Sequence, residues 1–410
     1  MYWIYVLFFV QSVFCITSYW SQVPITSTSH SYPCSNYRLL LEDIVIETNS
    51  TSITIFYYCN SSSCSLPSIE QLNHAASQCC ASRNLNSKQI SIELVNDQLT
   101  EPFSFSVPLY ILPYVHPRNF FHALIDVSAS LFYTSQLDGE TKPIVLTHKC
   151  PLNEEIPKRY FEFLKPFVSN IIDPDISFRF VLSKLYIGVD TTPVYFLKFP
   201  GLPLVDLSGF MFTWRDRVLA YHSVEFEPRT KKERTETSVT IIERRPSSRQ
   251  LLPYSQNSTE RSLLIQEVKQ ENVQLSFVST AKLSVKRQLE IAAGSDVLVG
   301  VHGAGNILQL FQRQDSSSIV IYPPGCYNYV YNQIPTRLNF TSNFAHTVNA
   351  SQVVHRSIDS KNFLMDNGWP DDVIFWKKKL CHRSVRNVNI VLSRDDFIKL
   401  IIEAKESLLT

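Results

Sequence analysis

The 410-residue chain is 44% hydrophobic and 18% charged, an ordinary globular balance that excludes a low-complexity or disordered protein. Its 38 basic and 37 acidic side chains nearly cancel to a net charge of +1. No global field therefore advertises a nucleic-acid or membrane-surface partner, and any anion site must be local.

Taken in chain order, Tyr2 to Cys15 is almost wholly apolar, interrupted by Gln11 and Ser12, and Val13-Phe14-Cys15 is similar to a small-residue cleavage site. The run is short for a bilayer span and lacks a basic n-region, so residues 1–15 read as a signal peptide, with a retained anchor as the alternative. No stable membrane span is expected elsewhere. Five N-x-S/T sequons, at Asn49, Asn60, Asn257, Asn339 and Asn349, point to N-glycosylation. Without Cys15, eight cysteines remain: Cys34, Cys59, Cys64, Cys79, Cys80, Cys150, Cys326 and Cys381. They lack zinc-finger spacing, and an oxidising compartment favours disulfides. These features together place the chain in the lumen of the secretory pathway, endoplasmic reticulum or Golgi, or outside the cell.

Alternating runs at Ser52–Tyr58 and Gln89–Leu94 predict strands. Beyond residue 117 the pattern changes to helices at Asn119–Tyr133 and Tyr160–Val168 with strands at Pro143–Thr147 and Lys184–Val189. Residues 227–237 form the most polar run and read as a linker. A second unit then predicts strands at Ser238–Ile242, Val273–Val278, Asp296–Val301 and Ser318–Tyr322. Helices at Glu260–Lys269, Ser284–Ala293 and Asn306–Phe311 separate them, followed by helices at Asp371–Leu380 and Asp395–Leu408. This is the pattern of an α/β protein with a parallel doubly wound sheet. The expected domains are 16–226 with a disulfide-rich start, the linker 227–237, a nucleotide-binding domain at 238–370 and C-terminal helices at 371–410.

Three clusters carry candidate chemistry. In Val299-Gly-Val-His-Gly-Ala-Gly305, an apolar strand runs into a glycine turn and a helix, so backbone N–H groups of Gly303, Ala304 and Gly305 can approach phosphate oxygens, with His302 beside them. The run Glu243-Arg244-Arg245-Pro-Ser-Ser-Arg249 puts three arginines at a strand's carboxyl end, suited to bidentate pairing with a pyrophosphate. In Asn119-Phe-Phe-His122-Ala-Leu-Ile-Asp126, His122 and Asp126 lie four apart on one helix face and form a candidate proton-transfer pair. Asp173-Pro-Asp175 is formally a metal-holding D-x-D, but it precedes a strand away from the glycine turn.

The stretch Leu283 to Gly305, ending Asp296-Val-Leu-Val-Gly-Val-His-Gly-Ala-Gly, resembles the signature of family 61 glycosyltransferases, and Ile319-Val-Ile-Tyr-Pro-Pro-Gly325 follows at the expected distance. The segments 244–249 and 119–126 are similar to further blocks of that family, in the same order. The departure is Asn306-Ile-Leu, where the family has a leucine-threonine start. The resemblance implies a GT-B fold, two Rossmann-like domains facing across a cleft, and inverting transfer of N-acetylglucosamine or xylose from a UDP-sugar to a protein or glycan acceptor. It implies that His302, Gly303, Ala304 and Gly305 contact the donor and that Arg245 and Arg249 meet its phosphates. It further implies that Glu290 reaches the nucleotide ribose and that Asp126, with His122, acts as base. No cofactor beyond the UDP-sugar co-substrate and no metal are implied. Two other readings compete: a catalytically inactive lumenal binding protein on the same fold, and a secreted interaction protein stapled by disulfides.

Overall fold

A computed structural model describes residues 39–48, 52–58, 89–95, 102–112, 122–139, 142–147, 161–172, 177–187, 189, 207–225, 236–244, 250–254, 258–280, 283–323, 331, 342–348, 350–355 and 388–409. The signal-like start, all the cysteines, the asparagines of the five sequons, Asp173, Asp175, most of the polar run at 227–237 and the expected helix at 371–380 lie outside the described residues. The chain is a mixed α/β protein that divides into two compact units, Met1–Val194 and Tyr195–Thr410.

The first unit is built on β1 (Leu39–Thr48), β2 (Ser52–Tyr58), β3 (Gln89–Val95), β4 (Leu109–Leu112), β5 (Ile144–Thr147), β6 (Asn170–Ile172) and β7 (Phe178–Ile187), in the order β3-β2-β1-β7-β4-β5-β6. β1 is antiparallel to both its neighbours, and every other pair is parallel. The period-2 alternation of a strand sends Leu109, Ile111, Ile144 and Leu146 into one core and Tyr110, Leu112 and Val145 into another. Because both faces are buried, these strands read as continuous apolar runs.

The connection from β4 to β5 is helical. A wide π-type segment, His122–Ala129, leads into α1 (Ser130–Leu137). Its buried hydroxyls are satisfied by main-chain carbonyls: Ser128 donates to Phe163 at 2.7 Å and Thr134 to Ser130 at 2.7 Å. The helix continues past the expected end at Tyr133 to Leu137. It stops there because Gly139, at φ 71°, supplies the left-handed residue that closes a helix C-terminus. Of the helix expected at Tyr160–Val168, Phe161 is helical, residues 162–164 form a turn and Tyr160 lies outside the described residues. The segment ends in the 3-10 turn Lys165–Phe167, where Pro166, with no N–H to give, is tolerated in a first turn. The strand expected at Lys184–Val189 is the end of the longer β7.

The second unit begins with α2 (Ser208–Tyr221), which the sequence reading assigned to the first domain. The division lies at 194/195 instead of the polar run at 227–237, and the reason is packing. Trp214 sits 5.5 Å from Phe311, and the Arg215 guanidinium donates to the Gln312 carbonyl at 3.4 Å. The central sheet contains β8 (Thr237–Glu243), β10 (Val273–Ser279), β11 (Val297–Val301), β12 (Ser317–Tyr322) and β13 (Ser342–Thr347). Its order is β10-β8-β11-β12-β13 with every pair parallel. A small third sheet joins β9 (Leu251–Leu252), β14 (Val353–His355) and β15 (Val388–Val391).

Helices α3 (Thr259–Gln270), α4 (Val285–Gly294) and α5 (Arg394–Ser407) each begin at a serine whose hydroxyl accepts an N–H of the first turn. Leu264 and Val268 of α3 and Phe397, Leu400 and Ile401 of α5 pack on Val239, Val299 and Ile319 of the sheet. The helix expected to start at Asn306 is a 3-10 helix, Ala304–Phe311. Among the described residues no helix is long and apolar enough to cross a membrane.

Candidate functional site

In the second sheet the chain runs from β8 outward to β10, then returns past β8 to β11 and continues to β12 and β13. The order reverses between β8 and β11. At such a switch point the two strand-to-helix connections part in opposite directions and leave a crevice at the carboxyl ends, where ligands of doubly wound sheets bind. β8 ends at Glu243, followed by the arginine run. β11 ends at Val301, followed by His302-Gly-Ala-Gly305. The parallel register pairs Gly300 with Ile242, so the two exits lie side by side.

A hydrogen bond spans the exits: Nη1 of Arg244 donates to the main-chain carbonyl of His302 at 3.1 Å. This brings the first arginine of the run directly to the glycine turn. Arg245 and Arg249 lie outside the described residues. Ala304 and Gly305 are half-buried and open the 3-10 helix, where the first N–H groups have no partner within the helix. Gly303, at φ 156° and ψ 178°, occupies a backbone region open almost solely to glycine.

Two features of the turn were missed by sequence reasoning. A Cβ on Gly300 would lie 2.1 Å from Asn306 Oδ1, so the strand must be glycine there to admit the asparagine side chain. Asn306 is buried, donates its Nδ2 to the Val301 carbonyl at 3.4 Å and its main-chain N–H to the Gly303 carbonyl at 2.9 Å. The departure from the expected leucine-threonine start thus locks the turn. A glycine inside an otherwise branched strand was the available signal. Gly305 is less constrained, for its Cβ would meet Ile242 Cγ2 at 3.4 Å.

His302 is placed at the site, but its side chain is only 1% exposed. Its ring packs 5.3 Å from that of Tyr322 and 5.6 Å from that of Tyr331, while its N–H donates to Ile321. Glu290 lies in the second turn of α4 and pairs with Arg287 at 2.9 Å.

The second missed feature is beside Arg244. Glu243 receives Nη1 of Arg261 at 3.1 Å, and that guanidinium lies 4.1 Å from the centre of the Phe277 ring. The carboxylate at the exit is therefore paired with Arg261, and Arg244 follows it in the chain.

His122 and Asp126 belong to the first unit. Both backbone positions fall in the π-type segment of the first unit, at the start of the helix that follows β4, and their side chains lie outside the described residues. Wide helical turns of this type occur frequently at functional sites.

No protein-family model matches the chain, and no curated protein matches it. Among solved structures the chain is similar to a family 9 glycosyltransferase from Veillonella parvula DSM 2008, at 9% identity over 74% of this chain and 97% of that one, with a TM-score of 0.34.

Proposed function

We propose that the switch point of the second sheet binds the diphosphate of a nucleotide sugar and that the chain is an inverting glycosyltransferase. The observation that carries this reading is the Arg244–His302 hydrogen bond, which joins an arginine run and a glycine turn at the carboxyl ends of adjacent parallel strands. Arginine forks and unpaired helix N–H groups are matched in geometry and charge to phosphate oxygens. They stabilise the charge that grows on a departing diphosphate. In this reading Arg244, Arg245 and Arg249 meet that charge together with the N–H groups of Gly303, Ala304 and Gly305, and a divalent ion is not required. His302 supports the turn from behind through its buried ring.

Inversion needs a base. As the acceptor hydroxyl loses its proton, its oxygen bonds to the anomeric carbon and the bond from that carbon to the diphosphate oxygen breaks. We assign the proton to Asp126, with His122 beside it. The donor is a UDP-sugar carrying N-acetylglucosamine or xylose, and the acceptor is a protein or glycan. The sequons and the signal-like start favour the lumen of the secretory pathway.

The test is a thermal-shift titration of the secreted, glycosylated chain with nucleoside diphosphates and UDP-sugars, with and without EDTA, followed by transfer assays. A shift with a UDP-sugar that survives EDTA is expected, with transfer abolished in Asp126→Asn. Binding without transfer to any acceptor would favour the inactive binding protein. No shift with any nucleotide would refute the diphosphate site.

A further inference from the structure

We infer that Arg261 is a positioning residue of this anion site, acting through Glu243 to cancel the carboxylate at the exit of β8. The inference rests on the diphosphate reading above. Glu243 is the last residue of β8 and immediately precedes Arg244, so its charge stands at the edge of the crevice that receives the phosphates. An uncompensated carboxylate there repels the ligand and competes for the arginines that follow it.

Arg261 is held so that it serves Glu243 and does not reach for a ligand. Its Nη1 donates to Glu243 Oε1 at 3.1 Å, with the two side chains 18% and 23% exposed. Its Nη2 donates to the Phe277 carbonyl at 3.5 Å, and its plane lies over the Phe277 ring at 4.1 Å. The main-chain N–H of Arg261 donates to the capping hydroxyl of Ser258 at 3.1 Å, which fixes the residue in the first turn of α3. Two contacts from Phe277 of β10 thus hold one guanidinium against the carboxylate of β8, while the Ser258 cap anchors its backbone. The chain that leaves β8 through Arg244 then starts beside a compensated carboxylate.

An ion pair of this kind also contributes to folding, so the test must separate charge compensation from stability. A double-mutant cycle does this, with calorimetric affinity for uridine diphosphate measured on folded protein. Arg261→Met keeps the apolar stem on Phe277 and removes the charge. Its affinity should fall about five- to tenfold, the size of one screened charge–charge interaction at a protein surface. Adding Glu243→Gln to that variant should restore affinity to within about twofold of the wild type. Glu243→Gln alone should bind about two- to fivefold more tightly, because Arg261 is then uncompensated beside the anion. This arm has the opposite sign to a simple loss of structure, and it decides the matter if Arg261→Met does not fold. A Glu243→Gln protein that binds no more tightly than the wild type, or a double variant as weak as Arg261→Met, overturns the inference while leaving the diphosphate site intact. A wild-type chain that binds no nucleoside diphosphate overturns both.

Discussion

At the amino end of the five-stranded sheet, Asp296 is fully buried and its carboxylate accepts the N–H of Ser238 at 2.8 Å, the Ser238 hydroxyl at 2.9 Å and Nη2 of Arg313. Arg313, 3% exposed, also donates to the Ala293 carbonyl and to Asp315, each at 3.1 Å. At the carboxyl end of the same strands, Arg244 reaches the His302 carbonyl, Glu243 is drawn aside by Arg261, and the half-buried Ala304 and Gly305 begin a helix. Both ends hold arginines, carboxylates and hydroxyl or amide groups. At the amino end the chain's own groups close the network, with a buried acid for a buried base. At the carboxyl end the carboxylate of Glu243 is paired with Arg261, and Arg244 turns to the glycine turn. Saturated polar groups fasten a sheet, whereas the carboxyl end at the switch point is where we propose the nucleotide binds.

Substitutions on the two ends should therefore separate stability from binding. The largest effect on folding is expected from Asp296→Ala, which strands Arg313 in the interior and should cost about 3–5 kcal/mol by urea unfolding. A loss below about 1 kcal/mol would mean that the amino-end network does not fasten the sheet. Gly300→Ala comes next. Its methyl group has no room beside Asn306 Oδ1, and overpacking of this kind costs about 1–3 kcal/mol. Because the displaced asparagine holds the turn, nucleotide affinity should fall in the same variant, whereas Gly305→Ala, facing Ile242 at 3.4 Å, should change stability by less than about 1 kcal/mol. Equal behaviour of the two glycine variants would show that the interlock is unimportant.

The smallest effect belongs to the sheet's far edge. Burial pushes the His346 imidazole below its usual value, opposed by the charges of Asp396 and Glu403. The folded protein therefore takes up that proton less readily than the unfolded chain. The neutral-histidine contribution is fully present above the unfolded value of about 6.5 and declines as the pH falls through it towards the folded value. The melting temperature should drop with acidification in that window, and the part due to His346 should vanish in His346→Asn. An unchanged slope in the variant would assign the pH dependence elsewhere.

Much of the second sheet was legible because its strands are short apolar runs with capped helices between them. β8, β10, β11 and β12 fall within a residue or two of their expected bounds. β13, Ser-Asn-Phe-Ala-His-Thr, was not legible: it is an edge strand with exposed positions and no strong alternation. α2 was missed because Phe210, Met211, Phe212 and Trp214 crowd its first two turns without a clean 3.6 period. The candidate site was half legible. The glycine turn and the arginine run could be found from local pattern, but their adjacency depends on strand order. The Glu243–Arg261 pair is a tertiary contact that no local spacing reveals, and the Gly300–Asn306 interlock was signalled only by a glycine inside an otherwise branched strand. The proposed base at Asp126 belongs to the first unit and stands on sequence pattern and backbone position alone.

The most direct test of the account is calorimetric titration of uridine diphosphate into the wild-type chain and Arg244→Met. The variant should lose about 1–3 kcal/mol of stability with its hydrogen bond to the His302 carbonyl and remain folded. Its affinity should be about 10–100-fold lower, the loss of one charge-assisted contact to the phosphates and of its hold on the turn. Equal affinity in the two proteins, or no binding to either, would contradict the assignment of the carboxyl end as the nucleotide site.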